Sequence, residues 1–120
     1  MNKQVLIIKN NHSEASGLIR TVLQENKVQF EVFNSRKTSQ FPDPRYYLAV
    51  IILGGPQSAN DPSMRHELNF IDEALKSEIP YLGICLGAQA LVKAAGGEVY
   101  RAPFKEIGCR DSAGNYFQVE

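Results

Sequence analysis

Apolar and polar residues change rhythm several times along this 120-residue chain, and the changes mark out its elements. "VLIIK", Val5 to Lys9, is an unbroken apolar run followed by turn-forming Asn10 and Asn11, which predicts a strand covered on both faces. Next, Ala15, Leu18, Ile19, Val22 and Leu23 recur at spacings of three and four, while Glu14, Arg20, Gln24 and Glu25 fill the other side. That spacing predicts an amphipathic helix capped by Asn11 or Ser13. "VQFEVF", Val28 to Phe33, alternates in part and predicts a second strand. The polar stretch after it contains Pro42 and Pro44 and predicts a surface loop.

"LAVIILGG", Leu48 to Gly55, is the strongest buried-strand pattern in the chain and stops at a glycine pair. Asp61 before Pro62 suits a cap followed by a first helical residue, and Met64, Leu68, Ile71 and Leu75 give the helix that runs to about Ser77 an apolar side. Pro80 to Ile84 predicts a fourth strand and Leu86 to Ala95 a third helix, which Gly96-Gly97 stops before a strand at "EVYR". "CRDSAGNYFQVE" at the end reads as a hairpin. Strands apolar on both faces, alternating with helices, predict one α/β domain: an open, mostly parallel sheet with helices on both faces.

Charge narrows the partners. Thirteen basic and thirteen acidic side chains cancel, so no broad positive field draws the chain to nucleic acid or an anionic membrane. No stretch has the length of a signal core or a membrane span, which predicts a soluble, cytoplasmic protein. Two cysteines, Cys85 and Cys109, are too few for a disulfide framework and are expected to be thiols.

In open sheets of this kind ligands bind beyond the carboxyl ends of the strands, where both glycine clusters fall. Gly83-Ile84-Cys85-Leu86-Gly87 has the pattern of a nucleophile elbow with sulfur in place of the usual serine oxygen. A helix starting at Leu86 points its unpaired N–H groups and positive end at that sulfur, favouring the thiolate. The N–H of Leu86 and that of Gly55 on the neighbouring loop are placed to receive a carbonyl oxygen that turns negative under attack, which suggests acyl transfer. By spacing alone, Cys85 is equally a small buried side chain flanked by glycines that serve packing.

More residues decide between these readings. "ILGGPQSANDP" (52–62), "IPYLGICLGAQALVKAAGGEVYR" (79–101) and "EIG" (106–108) together resemble the class I glutamine amidotransferases, in particular the GMP-synthetase-like glutaminase domains and their stand-alone homologues. The resemblance implies a flavodoxin-like fold and makes Cys85 the nucleophile that attacks the side-chain amide of glutamine, forming a γ-glutamyl thioester and releasing ammonia to a synthetase domain or subunit. It also implies an oxyanion hole from the backbone N–H groups of Gly55 and Leu86, and substrate contacts from Gly54 and Gln89. Gln89 lies one helical turn past Cys85 and its amide both donates and accepts. Glu106 falls in the third motif as a support near the site. Neither a metal nor a cofactor is required.

The family's acid–base pair is a His-x-Glu well beyond the elbow, and no histidine follows Cys85 in this sequence. His12 reads as a surface or capping residue, His66 as a solvated one, and Cys109 as packing. The chain is therefore expected to be the N-terminal portion of a longer domain, inactive alone and with an edge prone to self-association. Two other functions share the same residues: a γ-glutamyl hydrolase or peptidase, and a non-catalytic module that binds glutamine or docks on a synthetase.

Overall fold

The computed structural model describes residues 3–11, 17–100, 109–110 and 116–117. Four parallel strands form one sheet: β1 (Gln4–Lys9), β2 (Phe30–Asn34), β3 (Tyr47–Ile52) and β4 (Tyr81–Gly83), in the order β2-β1-β3-β4. The helices between them are α1 (Gly17–Glu25), α2 (Arg65–Lys76) and α3 (Leu86–Ala94). Two short strands, β5 (Cys109–Arg110) and β6 (Tyr116–Phe117), pair antiparallel as a separate hairpin. The open parallel α/β sheet is thus the one expected. "EVYR" is not a strand over its described residues: Glu98 to Tyr100 carry no regular structure. Among the described residues no helix is long and apolar enough to cross a membrane.

Strand β1 is the centre of the structure, and the register shows why its run is apolar throughout. Leu6 and Ile8 pair with Val50 and Ile52, and all four are fully buried on the face that receives α2 and α3. Each such side chain stabilises the fold by about 1.5–3 kcal/mol relative to exposure. Val5 and Ile7 point to the opposite face and are buried there too. The β1–β2 crossover turns the opposite way along the sheet from the β3–β4 crossover, so right-handed connections put α1 on the face away from α2 and α3.

That second face is covered unevenly. Ile7 and Leu82 share it through the β1-β3-β4 register, yet Ile7 is fully buried while Leu82 at the edge is 52% exposed. The stripe expected on α1 is likewise only half used, with Leu18 79% exposed and Ile19 and Leu23 part-buried. Ala15, and the cap expected at Ser13, lie outside the described residues.

The loop after β2 is more ordered than its polar composition predicts. Asp43 accepts from the Arg45 backbone N–H at 3.0 Å and caps a 3-10 turn, Pro44–Tyr46, in which Pro44 is buried. Phe41 packs between Phe33 and Phe70, with ring centroids 4.7 and 5.4 Å away.

Candidate active site

The carboxyl ends of β1, β3 and β4 converge on one rim. At β4 the chain reverses within a single residue. Ile84 N–H donates to Ile52 O at 3.0 Å, the last rung to β3, and Ala88 and Gln89 N–H already donate to Cys85 O at 2.9 and 3.1 Å. Cys85, the N-cap of α3, takes up that reversal with φ 53° and ψ −113°, a conformation costing about 1–3 kcal/mol in a residue with a Cβ. Its side chain is exposed. The N–H of Leu86, first in the helix, has no hydrogen-bond partner among the described residues.

Two glycines make the reversal sterically feasible. A Cβ on Gly83 would lie 2.6 Å from Gly87 C and O, and one on Gly87 would collide with Ile52 O. The start of α3 therefore lies directly on the β3 and β4 backbones. Tyr81 Oη donates to Gly87 O at 2.7 Å and fastens the turn; burial, then the nearby Glu67 charge, push its phenol above the usual range.

The other glycine pair forms the facing wall. A Cβ on Gly54 would sit 3.2 Å from Cys85 Cβ and 3.9 Å from Sγ, so this backbone passes right beside the thiol. A Cβ on Gly55 would lie 2.7 Å from both Asn10 O and Gln57 Oε1. The Gly55 N–H, like that of Leu86, has no backbone partner among the described residues. Cys85 and Gly54 are thus brought together, with Leu86 and Gly55 next to them along the chain. Gln89 is exposed one helical turn beyond Cys85.

Beneath this wall lies a polar cluster that the apolar periodicity does not reveal. Asn10, fully buried, donates from Nδ2 to Leu53 O at 3.1 Å and to Glu67 Oε2 at 2.8 Å, and its Oδ1 accepts from Ser35 Oγ. Burial pushes the Glu67 carboxyl above its usual range, against the hydrogen bonds from Asn10 and Ser35. A signal for Glu67 does exist: it precedes Phe70, Ile71 and Ala74 by three, four and seven residues and so shares their buried helix face. The buried stripe of α2 accordingly runs through Met64, Glu67, Phe70, Ile71 and Ala74, with Leu68 and Leu75 only part-buried at its side.

On the far side of Asn10 opens a cleft of about 350 Å³ lined by Ser35, Arg36, Gln57, His66 and Glu67 among others. His66 lines that cleft and is itself exposed; His12 and Glu106 lie outside the described residues, as does the Cys109 side chain. Among the described residues no three His, Cys, Asp or Glu side chains converge as a metal site would need.

A parallel sheet of this order, with a strained cysteine between two glycine pairs, defines the class, and sequence comparison agrees. Residues 7–118 match the family model for glutamine amidotransferase class-I, and the chain belongs to that family. It is 32% identical over 103 residues to a subunit of the glutamine-hydrolyzing GMP synthase of Methanococcus aeolicus, across 85% of this chain and 52% of that protein. It is 33% identical over 105 residues to the glutamine-hydrolyzing GMP synthase of Synechocystis, across 88% of this chain and 19% of that one. Among solved structures, a glutamine amido transferase from Methylobacillus flagellatus superposes with a TM-score of 0.82 at 37% identity, over 90% of this chain and 45% of the other. One from Thermotoga maritima gives 0.79 at 33% identity, over 90% and 50%. The chain thus spans about half or less of the length of these relatives.

Proposed function

We propose that this chain carries the nucleophile half of a GMP-synthetase-like glutaminase site. The Cys85 sulfur attacks the side-chain carbonyl carbon of glutamine. As the C–S bond forms, the C=O π pair moves to oxygen, and that oxyanion accepts from the Leu86 and Gly55 N–H groups. Collapse of the intermediate breaks the C–N bond, and the leaving nitrogen takes a proton and departs as ammonia. Water then attacks the γ-glutamyl thioester, yielding glutamate and the free thiol. Gly54 and Gln89 hold the substrate, and ammonia passes to a synthetase domain or subunit.

The observation that carries this function is the conformation of Cys85: an exposed thiol lifted by a positive φ at the start of a helix, beside a Leu86 N–H with no backbone partner among the described residues. Elbows of this shape present nucleophiles in α/β enzymes, and a sealed packing cysteine has no use for the strain. The proton relay needs an imidazole. His66 belongs to the neighbouring cleft, and no imidazole among the described residues stands beside Cys85. The 120 residues alone are expected to be inactive.

Treatment with a diazo-ketone analogue of glutamine, followed by peptide mapping, tests the nucleophile. Modification is expected at Cys85 and not at Cys109; equal modification of both thiols would return Cys85 to a packing role. Glutamine turnover by the 120 residues, abolished by Cys85→Ser, would show that they suffice for the reaction.

A further inference from the structure

Deepening the oxyanion assignment above, we propose that Asn10 and Glu67 are positioning residues: through the buried Glu67–Asn10–Leu53 hydrogen bonds, α2 sets the orientation of the glycine turn that faces Cys85. The side-chain amide of Asn10 spends both donors and an acceptor here, on Leu53 O, Glu67 Oε2 and Ser35 Oγ. Leu53 O belongs to the peptide plane that joins Leu53 to Gly54. Leu53 N–H is held from the other side by Ile8 O at 3.0 Å. The chain entering the turn is therefore held on both sides of Leu53, by its N–H on Ile8 and by its carbonyl on Asn10.

Asn10 also sets the turn by contact. Its carbonyl oxygen and Cβ lie 2.7 and 2.8 Å from the place a Gly55 Cβ would take, so the Gly55 backbone rests on the Asn10 residue itself. A displacement of Asn10 moves Gly55, and with it the N–H proposed to meet the oxyanion. Glu67 is the member that fixes Asn10 to a rigid helix, and it does so as a carboxyl only 2% exposed. Retaining an ionisable group there is unfavourable for packing alone, because apolar replacements of buried charged groups are often as stable or more so. Neither residue has a described contact with Cys85, so both act through the turn.

The test separates an oxyanion from simple thiol reactivity. Glutamate γ-semialdehyde adds to the thiolate: the S–C bond forms, the C=O π pair moves to oxygen, and that oxyanion occupies the hole, the thiol proton having left to solvent. Iodoacetamide alkylates the same sulfur by displacing iodide and makes no oxyanion. With the 120-residue chain, the Cys85 adduct of carbonyl-13C semialdehyde is titrated by NMR, alongside the iodoacetamide rate at Cys85 and a thermal melt. Because donor misplacement at such sites costs about 10²-fold, Glu67→Ala and Asn10→Ala are expected to weaken the adduct at least roughly tenfold. Alkylation should stay within about twofold, since no oxyanion forms in it. Glu67→Gln keeps an oxygen for Asn10 Nδ2 and should restore the adduct to within about threefold.

Should either alanine variant unfold, Glu67→Met fills the space without an acceptor and makes the same comparison. An adduct equally tight in the Ala or Met variants and the unsubstituted chain overturns the positioning role alone. No adduct on the unsubstituted chain, with normal alkylation, overturns the oxyanion assignment and this role with it.

Discussion

Gly87 and Ile52 meet backbone to backbone, with the first turn of α3 lying on the carbonyl that ends β3 and no room for a side chain between them. Gly87→Ala is therefore expected to destabilise the fold by about 3 kcal/mol, since neither the helix nor the strand can yield without breaking the rim. Gly17→Ala is the matched control, at a helical position with open space around it, and should stabilise by about 0.5 kcal/mol. Urea denaturation of both variants measures the contrast.

The strain at Cys85 is separable from its chemistry. Cys85→Gly and Cys85→Ala both lack the sulfur, and only glycine accepts φ 53° without penalty. Glycine at 85 is expected to be more stable than alanine by about 1 kcal/mol, the reverse of their order inside a helix. Equal midpoints would mean that the turn relaxes in solution.

Helix ends offer a second backbone test. All three helices close with the same pair of bonds, such as Glu78 N–H to Leu75 O at 3.1 Å and Ile79 N–H to Ala74 O at 2.9 Å after α2. Only α3 puts glycine at the left-handed position, Gly96, whereas α1 and α2 use Lys27 (φ 57°) and Glu78 (φ 56°). Glu78→Gly is expected to raise stability by about 1 kcal/mol in a thermal melt.

Glu67 is expected to make the stability of the fold depend on pH. Burial raises its folded-state pKa above the ordinary carboxylate value, so its contribution is fully present below that value and is lost as pH rises through the raised one. Tyr81, raised further above its usual range by the same burial, stays neutral throughout. The stability of the parent chain relative to Glu67→Gln should therefore fall as pH rises above the ordinary carboxylate range. A rise instead would show that the hydrogen bonds from Asn10 and Ser35 outweigh desolvation.

Most of the fold is legible in the sequence because it is written in runs and periods: β1 and β3 as apolar blocks and α3 with its stop at Gly96, while the expected Asp61 cap serves a 3-10 turn, Pro62–Met64, and α2 itself begins only at Arg65. Periodicity hides whatever depends on a partner distant in the chain. Phe41 reads as part of a polar loop because its ring partners, Phe33 and Phe70, come from β2 and α2. Glu67 goes unread in the sequence because a charge at a buried helical position makes sense only once Asn10 and Ser35 are beside it. The glycines of the rim, by contrast, are visible at once, because close backbone passage leaves few other residue types available.

The site is also built on strands of unequal permanence. Asn10 continues β1, which is paired on both sides and sealed above and below, while Cys85 continues a three-residue strand with one neighbour among the described strands and an exposed Leu82. In native-state hydrogen exchange the amides of Leu6 to Ile8 should open only with the whole molecule, and the Ile84 amide by local fraying. One wall of the rim would then stay in place while the other breathes, and the thiol stands on the more mobile of the two.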